Sequence, residues 1–238
     1  MGELLVERNG DALTLALNRP EKMNALSASL VDALLAEVEN AAATGVRLLV
    51  LRGEGRNFSA GFDFGGYEDQ SEGDLLLRFV RIEQLLQAVR HAPFDTMALA
   101  HGRNFGAGVD LICSCARRVS EETATFRMPG LGFGLVLGTR RYAERVGVAR
   151  ARDVLGDGVT FSARTAIEDG FLTALAPKEE WSDLVTETAA RGGKLSAAAS
   201  AALYRATCPD TRAEDLADLV TSAARPGLKD RIALYRAA

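Results

Sequence analysis

The stretch Met97 to Asp110, MALAHGRNFGAGVD, constrains this 238-residue chain more than any other. It opens as a short apolar strand and passes through a loop where Gly102, Gly106 and Gly108 crowd together. It then enters the first turn of a helix that runs through Leu111 to Cys115. Small residues at such a junction leave the backbone bare. NH groups at a helix start have no partner within the helix, and the helix dipole adds partial positive charge there. The junction can therefore stabilise a developing oxyanion, with the Ala107 NH as the candidate donor. The competing reading is a junction where small residues only permit close packing.

The rest of the chain supplies the context for that turn. Two hydrophobic runs, Glu3 to Glu7 and Ala12 to Leu17, read as strands joined at Asn9-Gly10 into a hairpin. Ser27 caps a helix expected to reach about Ala43, with Leu30, Ala33, Leu34 and Val38 on one face. Val46 to Arg52 reads as a buried strand between Gly45 and Gly53. A Gly-rich loop containing FSAGFDFGGY follows, then a polar connection from Glu68 to Asp74 and a helix from Leu75 to about Arg90, stopped by Pro93. Past Cys115, strands are expected at Arg117 to Ser120 and Thr123 to Met128, a Gly-rich loop at Pro129 to Gly138, and helices near Thr139 to Val146, Ala149 to Leu155 and Ala163 to Asp169. This alternation predicts an α/β fold over residues 1–178. From residue 179 to 238 the pattern is helical and alanine-rich, as a lid or an oligomer interface would be.

Composition narrows the function classes. With 47% hydrophobic and 25% charged residues the chain reads as an ordinary soluble globular protein. Its net charge of −4, with lysines and arginines scattered, disfavours nucleic acid and anionic membranes as partners. The start, MGELLVERNG, has early acids and no long apolar run, so neither a signal peptide nor a membrane anchor is expected, and a cytoplasmic location is. Cys113, Cys115 and Cys208 make no even-numbered framework and are expected as buried free thiols. Two histidines, His91 and His101, without companion ligands give little basis for a zinc site or a histidine triad. The glycines of GRNFGAG do not fit G-x-G-x-x-G, and NFSAG misses G-x-S-x-G at its first glycine.

FSAGFDF follows one strand and HGRNFGAGVD the next, so both loops are expected at the carboxyl ends of one sheet, where open α/β sheets bind ligands. Two backbone NH donors from separate loops could then converge on one carbonyl oxygen. Four pieces, LNRPEKMNALS, VLRGEGRNFSAGFDF, ALAHGRNFGAGVDLICSCARRVS and LGDGVTFSARTAIEDGFLTALAP, together resemble the crotonase family, the enoyl-CoA hydratase/isomerase superfamily. The resemblance runs over nearly the whole chain. It implies a crotonase-like ββα spiral with a helical C-terminal region, assembly as a homotrimer or hexamer, and an acyl-CoA thioester as substrate without metal or redox cofactor.

The same resemblance places the thioester-polarising NH groups at Phe62 and Ala107. It sets Ala25, Ala60, Gly61 and Gly106 beside the CoA moiety, with Lys22 as a phosphate contact. A solvated lysine is the alternative for Lys22. Asp110, three residues after Ala107 and on the same helix face, corresponds to the first catalytic glutamate of the hydratases; otherwise it is a first-turn aspartate favouring the helix dipole. The chain departs from the family at Met128-Pro129-Gly130, where hydratases and most isomerases carry glutamate after the proline, and in a following loop about three residues shorter. Activation of a water between two carboxylates is thereby in doubt. Single-acid isomerisation, decarboxylation, thioester hydrolysis and a non-catalytic acyl-CoA-binding or assembly subunit stay open. Asp63 is expected to cap or orient its loop, Arg127 to form a structural ion pair, and His101 to be packed and hydrogen-bonded. Glu68, Asp69, Glu121 and Glu122 are expected on the surface.

Overall fold

The computed structural model describes residues 2–237 and builds them around two sheets. The hairpin forms from β1 (Leu4–Asn9) and β2 (Ala12–Leu17), and its turn falls at Gly10-Asp11, because Asn9 still pairs with Ala12. Gly10, at φ +57°, takes the left-handed conformation that this turn requires. β3 (Leu48–Gly53) and β4 (Asp95–Ala100) add in parallel, followed by β6 (Arg117–Ser120) and β9 (Ala174–Leu175), giving the order β1-β2-β3-β4-β6-β9. β5 (Arg103–Phe105), β7 (Thr125–Arg127) and β8 (Thr160–Ser162) form a second, three-stranded sheet. The sequence predicts β5 as loop: three residues are too few for a period to show.

The chain winds as a spiral. β4 passes to β5 and then to α3 (Ala107–Ser114). β6 passes to β7, then to α4 (Thr139–Val146) and α5 (Val148–Asp157). β8 leads to α6 (Ala163–Glu168) and back to β9. Most turns therefore put one strand in each sheet. Side chains alternate along each strand, so Leu49, Leu51 and Ala98 enter the main core under the helices. Leu48, Val50, Met97 and Leu99 pack on the opposite face against Trp181.

Two helices flank the main core. α1 (Ala28–Ala41) is capped by Ser27, whose side chain accepts from the Leu30 NH, and buries Leu30, Leu34 and Val38. α2 (Glu72–Arg90) begins three residues before the expected Leu75, because Ser71 and Asp74 form a reciprocal capping box. The preceding acidic segment is also ordered, with a 3₁₀ turn at Tyr67–Asp69. The C-terminal third comprises α7 (Trp181–Gly192), α8 (Ala197–Thr207), α9 (Arg212–Ala223) and α10 (Leu228–Ala237). α7 lies against β3, α9 against α2, and α10 against a 3₁₀ turn at Gly130–Phe133. No helix among the described residues is long and apolar enough to cross a membrane.

Candidate active site

Two glycines bring the two loops together. β5 delivers the chain to Gly106, whose φ of +46° and ψ of −122° turn it directly into α3. On the other side, Gly61 sits at φ +77°, and a methyl added there would overlap Phe105 O and come within 3.0 Å of Ala107 N. Only glycine permits this approach. Gly108 has the same role one step on, since its added methyl would lie 2.6 Å from Ser59 O. Ser59 holds the first loop by donating to Asn24 O at 2.8 Å and accepting from Gly61 N at 3.1 Å.

That bracing leaves two amides free. Leu26 N donates to Gly61 O at 2.7 Å and Asp63 N donates to Leu26 O at 3.3 Å, so Phe62 is bridged on both sides while its own NH has no acceptor among the described residues. Ala107 opens α3, and its NH has no acceptor among the described residues. Phe62, Ala107, Ala60 and Gly106 all line one cavity of about 220 Å³. Gly61 packs behind it. Ala25 is buried nearby, where its carbonyl accepts from Arg19 at 2.6 Å, and Lys22 is exposed on a short 3₁₀ turn; neither borders the cavity.

Asp110 is the carboxyl that the fold brings to this cavity. It is 3% exposed, and Oδ1 has no hydrogen-bond partner among the described residues. Burial holds it well above the usual carboxylate range; Arg141 draws it partly back and Glu83 pushes it further up. Gly138, at φ +65°, makes room for it: a methyl added there would overlap Oδ1 and lie 2.5 Å from Asp110 Cγ.

Behind the carboxyl, Arg141 on α4 bonds both oxygens of Glu83 on α2, one at 2.9 Å, and reaches Asp215 on α9 at 3.0 Å. No motif in the sequence marks this triad. Its signal was Glu83 itself, a charge among Phe79, Ile82 and Leu86 on the buried stripe of α2.

The remaining candidates resolve into structural roles. Gly130 lines the cavity and brings no acid. Asp63 accepts from Gly65 N at 2.9 Å and pairs with Arg19 at 2.7 Å, and its carboxyl is held below the usual range despite partial burial. His101 is buried, with Nε2 3.0 Å from Gly55 O, and burial pushes its pKa down to about 4. The expected ion pair of Arg127 does not form: its Nε donates to Gly158 O at 2.8 Å, because β7 ends beside that carbonyl. Cys113 and Cys115 are buried free thiols, whereas Cys208 is only half-buried, its Sγ 3.7 Å from His91 Nδ1. Among the described residues no group of three or more metal-ligating side chains comes together.

Thr139, Tyr235 and the aromatic wall of the cavity come from elements far apart in the chain, and no sequence motif marks them. Fold and cavity together define an α/β protein of the ββα spiral class with its candidate site at the carboxyl ends of parallel strands.

Comparison with known proteins makes the class specific. The family model described as Enoyl-CoA hydratase/isomerase matches residues 7–223, and the chain belongs to that family. A Bacillus subtilis protein named "Probable enoyl-CoA hydratase" is 32% identical over 164 residues, which take in 66% of this chain and 62% of that protein. A crystal structure of a Bordetella parapertussis protein assigned to the enoyl-CoA hydratases/isomerases is 52% identical, with a TM-score of 0.98 and 99% of both chains covered. A Thermobifida fusca protein of the family, solved in complex with acetoacetyl-CoA, shares the fold at 24% identity and a TM-score of 0.78 over 99% of this chain and 92% of that one. The crotonase-type fold expected from the sequence is the one observed.

Proposed function

We propose that this chain catalyses proton transfer on an acyl-CoA thioester, with Asp110 as its one acid/base. The observation that carries the reading is the meeting, in one apolar cavity, of two unpaired amides from separate loops and one buried carboxyl. The Phe62 and Ala107 NH groups donate to the thioester oxygen, and their bonds strengthen as it gains negative charge. Loss of one such donor costs on the order of 3 kcal/mol of transition-state stabilisation. The acetoacetyl-CoA bound by the Thermobifida fusca relative supports a CoA thioester as the ligand class.

Asp110 takes a proton from the carbon beside the thioester carbonyl, giving an enolate whose oxygen charge the two amides stabilise, and returns that proton to the γ carbon as the double bond moves into conjugation. A raised pKa suits this work, because a base is most effective when its pKa approaches the working pH. Addition of water needs a second group to hold and activate the water, and Gly130 offers none. The geometry therefore favours double-bond isomerisation by a single carboxyl over hydration.

The test compares wild type with Asp110→Asn on a 3-enoyl-CoA, followed as the gain of conjugated thioester absorbance, and on a 2-enoyl-CoA, followed as its loss. The expected result is isomerisation faster than hydration, falling by about two to four orders of magnitude in the variant. Hydration exceeding isomerisation would overturn the single-carboxyl reading. Tight thioester binding with no turnover would leave a binding subunit instead.

A further inference from the structure

We propose that the acyl group accepted by this site is uncharged, compact and flat, with an aryl ring as its best fit. The inference rests on the acyl-CoA reading above and adds the substrate class to it. Beyond the two amides, aromatic side chains make up much of the cavity wall. Phe62 meets Phe64 edge-on with centroids 5.0 Å apart, Phe64 meets Phe133 at 6.3 Å and 80°, and Tyr235 of α10 closes the series 5.3 Å from Phe133. Such walls offer both ring edges and ring faces to an aromatic guest. Phe62 is itself fixed by stacking on Phe79 at 4.3 Å.

Volume and charge agree with that guest. A cavity of about 150 Å³ lined by aliphatic and phenyl groups takes up benzene, so 220 Å³ holds a ring and a short connecting segment. No lysine or arginine lines it among the described residues. Two cations that lie over the rings of this wall are committed elsewhere. Arg78 lies over the Phe62 ring at 4.1 Å and donates to Asp63 O at 2.6 Å, and Arg236 lies over Phe64 at 5.7 Å and pairs with Glu68 at 3.3 Å. A second carboxylate on the acyl group would be desolvated without a partner.

Length is limited by a wall. Leu131, Thr139 and Leu155 line both this cavity and a second one of about 490 Å³ on their far side. A long straight chain would have to pass between them.

The experiment titrates wild type, by calorimetry, with four saturated thioesters that offer no double bond to move: butanoyl-CoA, 3-phenylpropanoyl-CoA, decanoyl-CoA and glutaryl-CoA. The expected order has 3-phenylpropanoyl-CoA binding about tenfold or more tighter than the other three. In Leu155→Ala, decanoyl-CoA should gain about tenfold as the wall opens. Leu131→Ala, a change at an exposed position, tests the same wall if the first variant is unstable. Equal binding of the phenyl and butanoyl thioesters, glutaryl-CoA binding as tightly as the phenyl compound, or decanoyl-CoA preferred by wild type would each overturn the substrate class. Decanoyl-CoA affinity unchanged in both variants would overturn the wall. If none of the four binds, the acyl-CoA reading falls and this inference with it. If all four bind alike, only this inference falls.

Discussion

Gly138→Ala tests the placement of Asp110 without touching its chemistry. At φ +65° the new alanine occupies left-handed backbone, which costs about 1–2 kcal/mol for a residue with a Cβ. Its methyl would also lie 2.5 Å from Asp110 Cγ and 3.1 Å from Asp110 Cβ, where non-bonded carbons rest at about 3.5–4.0 Å. The carboxyl must therefore retreat by roughly 1 Å, and crowding of this kind in a packed interior costs about a further 1–3 kcal/mol. Total destabilisation is on the order of 2–5 kcal/mol, read from urea unfolding.

Displacement by about 1 Å predicts a loss near a hundredfold in kcat for whatever proton transfer Asp110 performs. In an Asp110→Ala background the contacts to Oδ1 and Cγ are gone and only the 3.1 Å contact to Cβ remains, so the same glycine substitution should cost little beyond the backbone part, about 1–2 kcal/mol. A Gly138→Ala enzyme with wild-type kcat, or a stability cost equal in both backgrounds, would refute the placement of the carboxyl against Gly138.

Protonation of Asp110 should itself be visible in stability. Because its folded pKa lies above the unfolded value of 3.8, its favourable contribution is complete below that pH and is lost as pH rises through the folded pKa, at up to about 1.4 kcal/mol per pH unit. Asp110→Asn should thus gain stability relative to wild type as pH rises, and a pH-independent difference between the two would contradict the raised carboxyl pKa. His101 works in the opposite direction: its pKa falls from 6.5 to about 4, so stability is lost as pH drops through that window, on the order of 3 kcal/mol in all, and His101→Asn should flatten the slope. Glu83→Ala leaves Arg141 partly unpaired in the interior and should cost about 3–5 kcal/mol, measured by denaturant unfolding, with less loss in the Glu83→Leu, Arg141→Met double variant. Gly61→Ala should abolish measurable turnover by prying the two loops apart, while a thioester analogue loses affinity in parallel.

What the sequence made legible follows from range. Ser27 and the stripe Leu30, Leu34 and Val38 are local signals, and the helix they predict is observed to within two residues. The two Gly-rich loops were legible because a junction needing left-handed backbone, as at Gly61 and Gly106, announces itself by glycine. The capping box at Ser71 and Asp74 was equally local but lay inside an acidic run that reads as solvent-facing connection. Strand β5 escaped because three residues pairing with a partner some twenty positions on carry no pattern of their own.

The cavity wall was hidden for a stronger reason. Phe64, Phe133 and Tyr235 come from three distant segments, and no one-dimensional spacing relates them.

The balance of the site turns on what replaces the missing acid. Gly130 removes a carboxyl, and the space it leaves is bordered by Leu131, Phe133 and Leu135. A second carboxylate facing Asp110 across the cavity would draw water in and, by repulsion, raise the pKa of one of the two. With one carboxyl and a phenyl-rich wall, desolvation dominates, and Asp110 is driven toward the neutral form even though Arg141 pulls the other way. In the proposed reaction the same apolar surroundings that raise its basicity would also strengthen hydrogen bonds from the Phe62 and Ala107 NH groups to a charged oxygen, since both would act where water is excluded. On the proposed reading, one carboxyl in an apolar wall suits moving a proton between carbons rather than activating water.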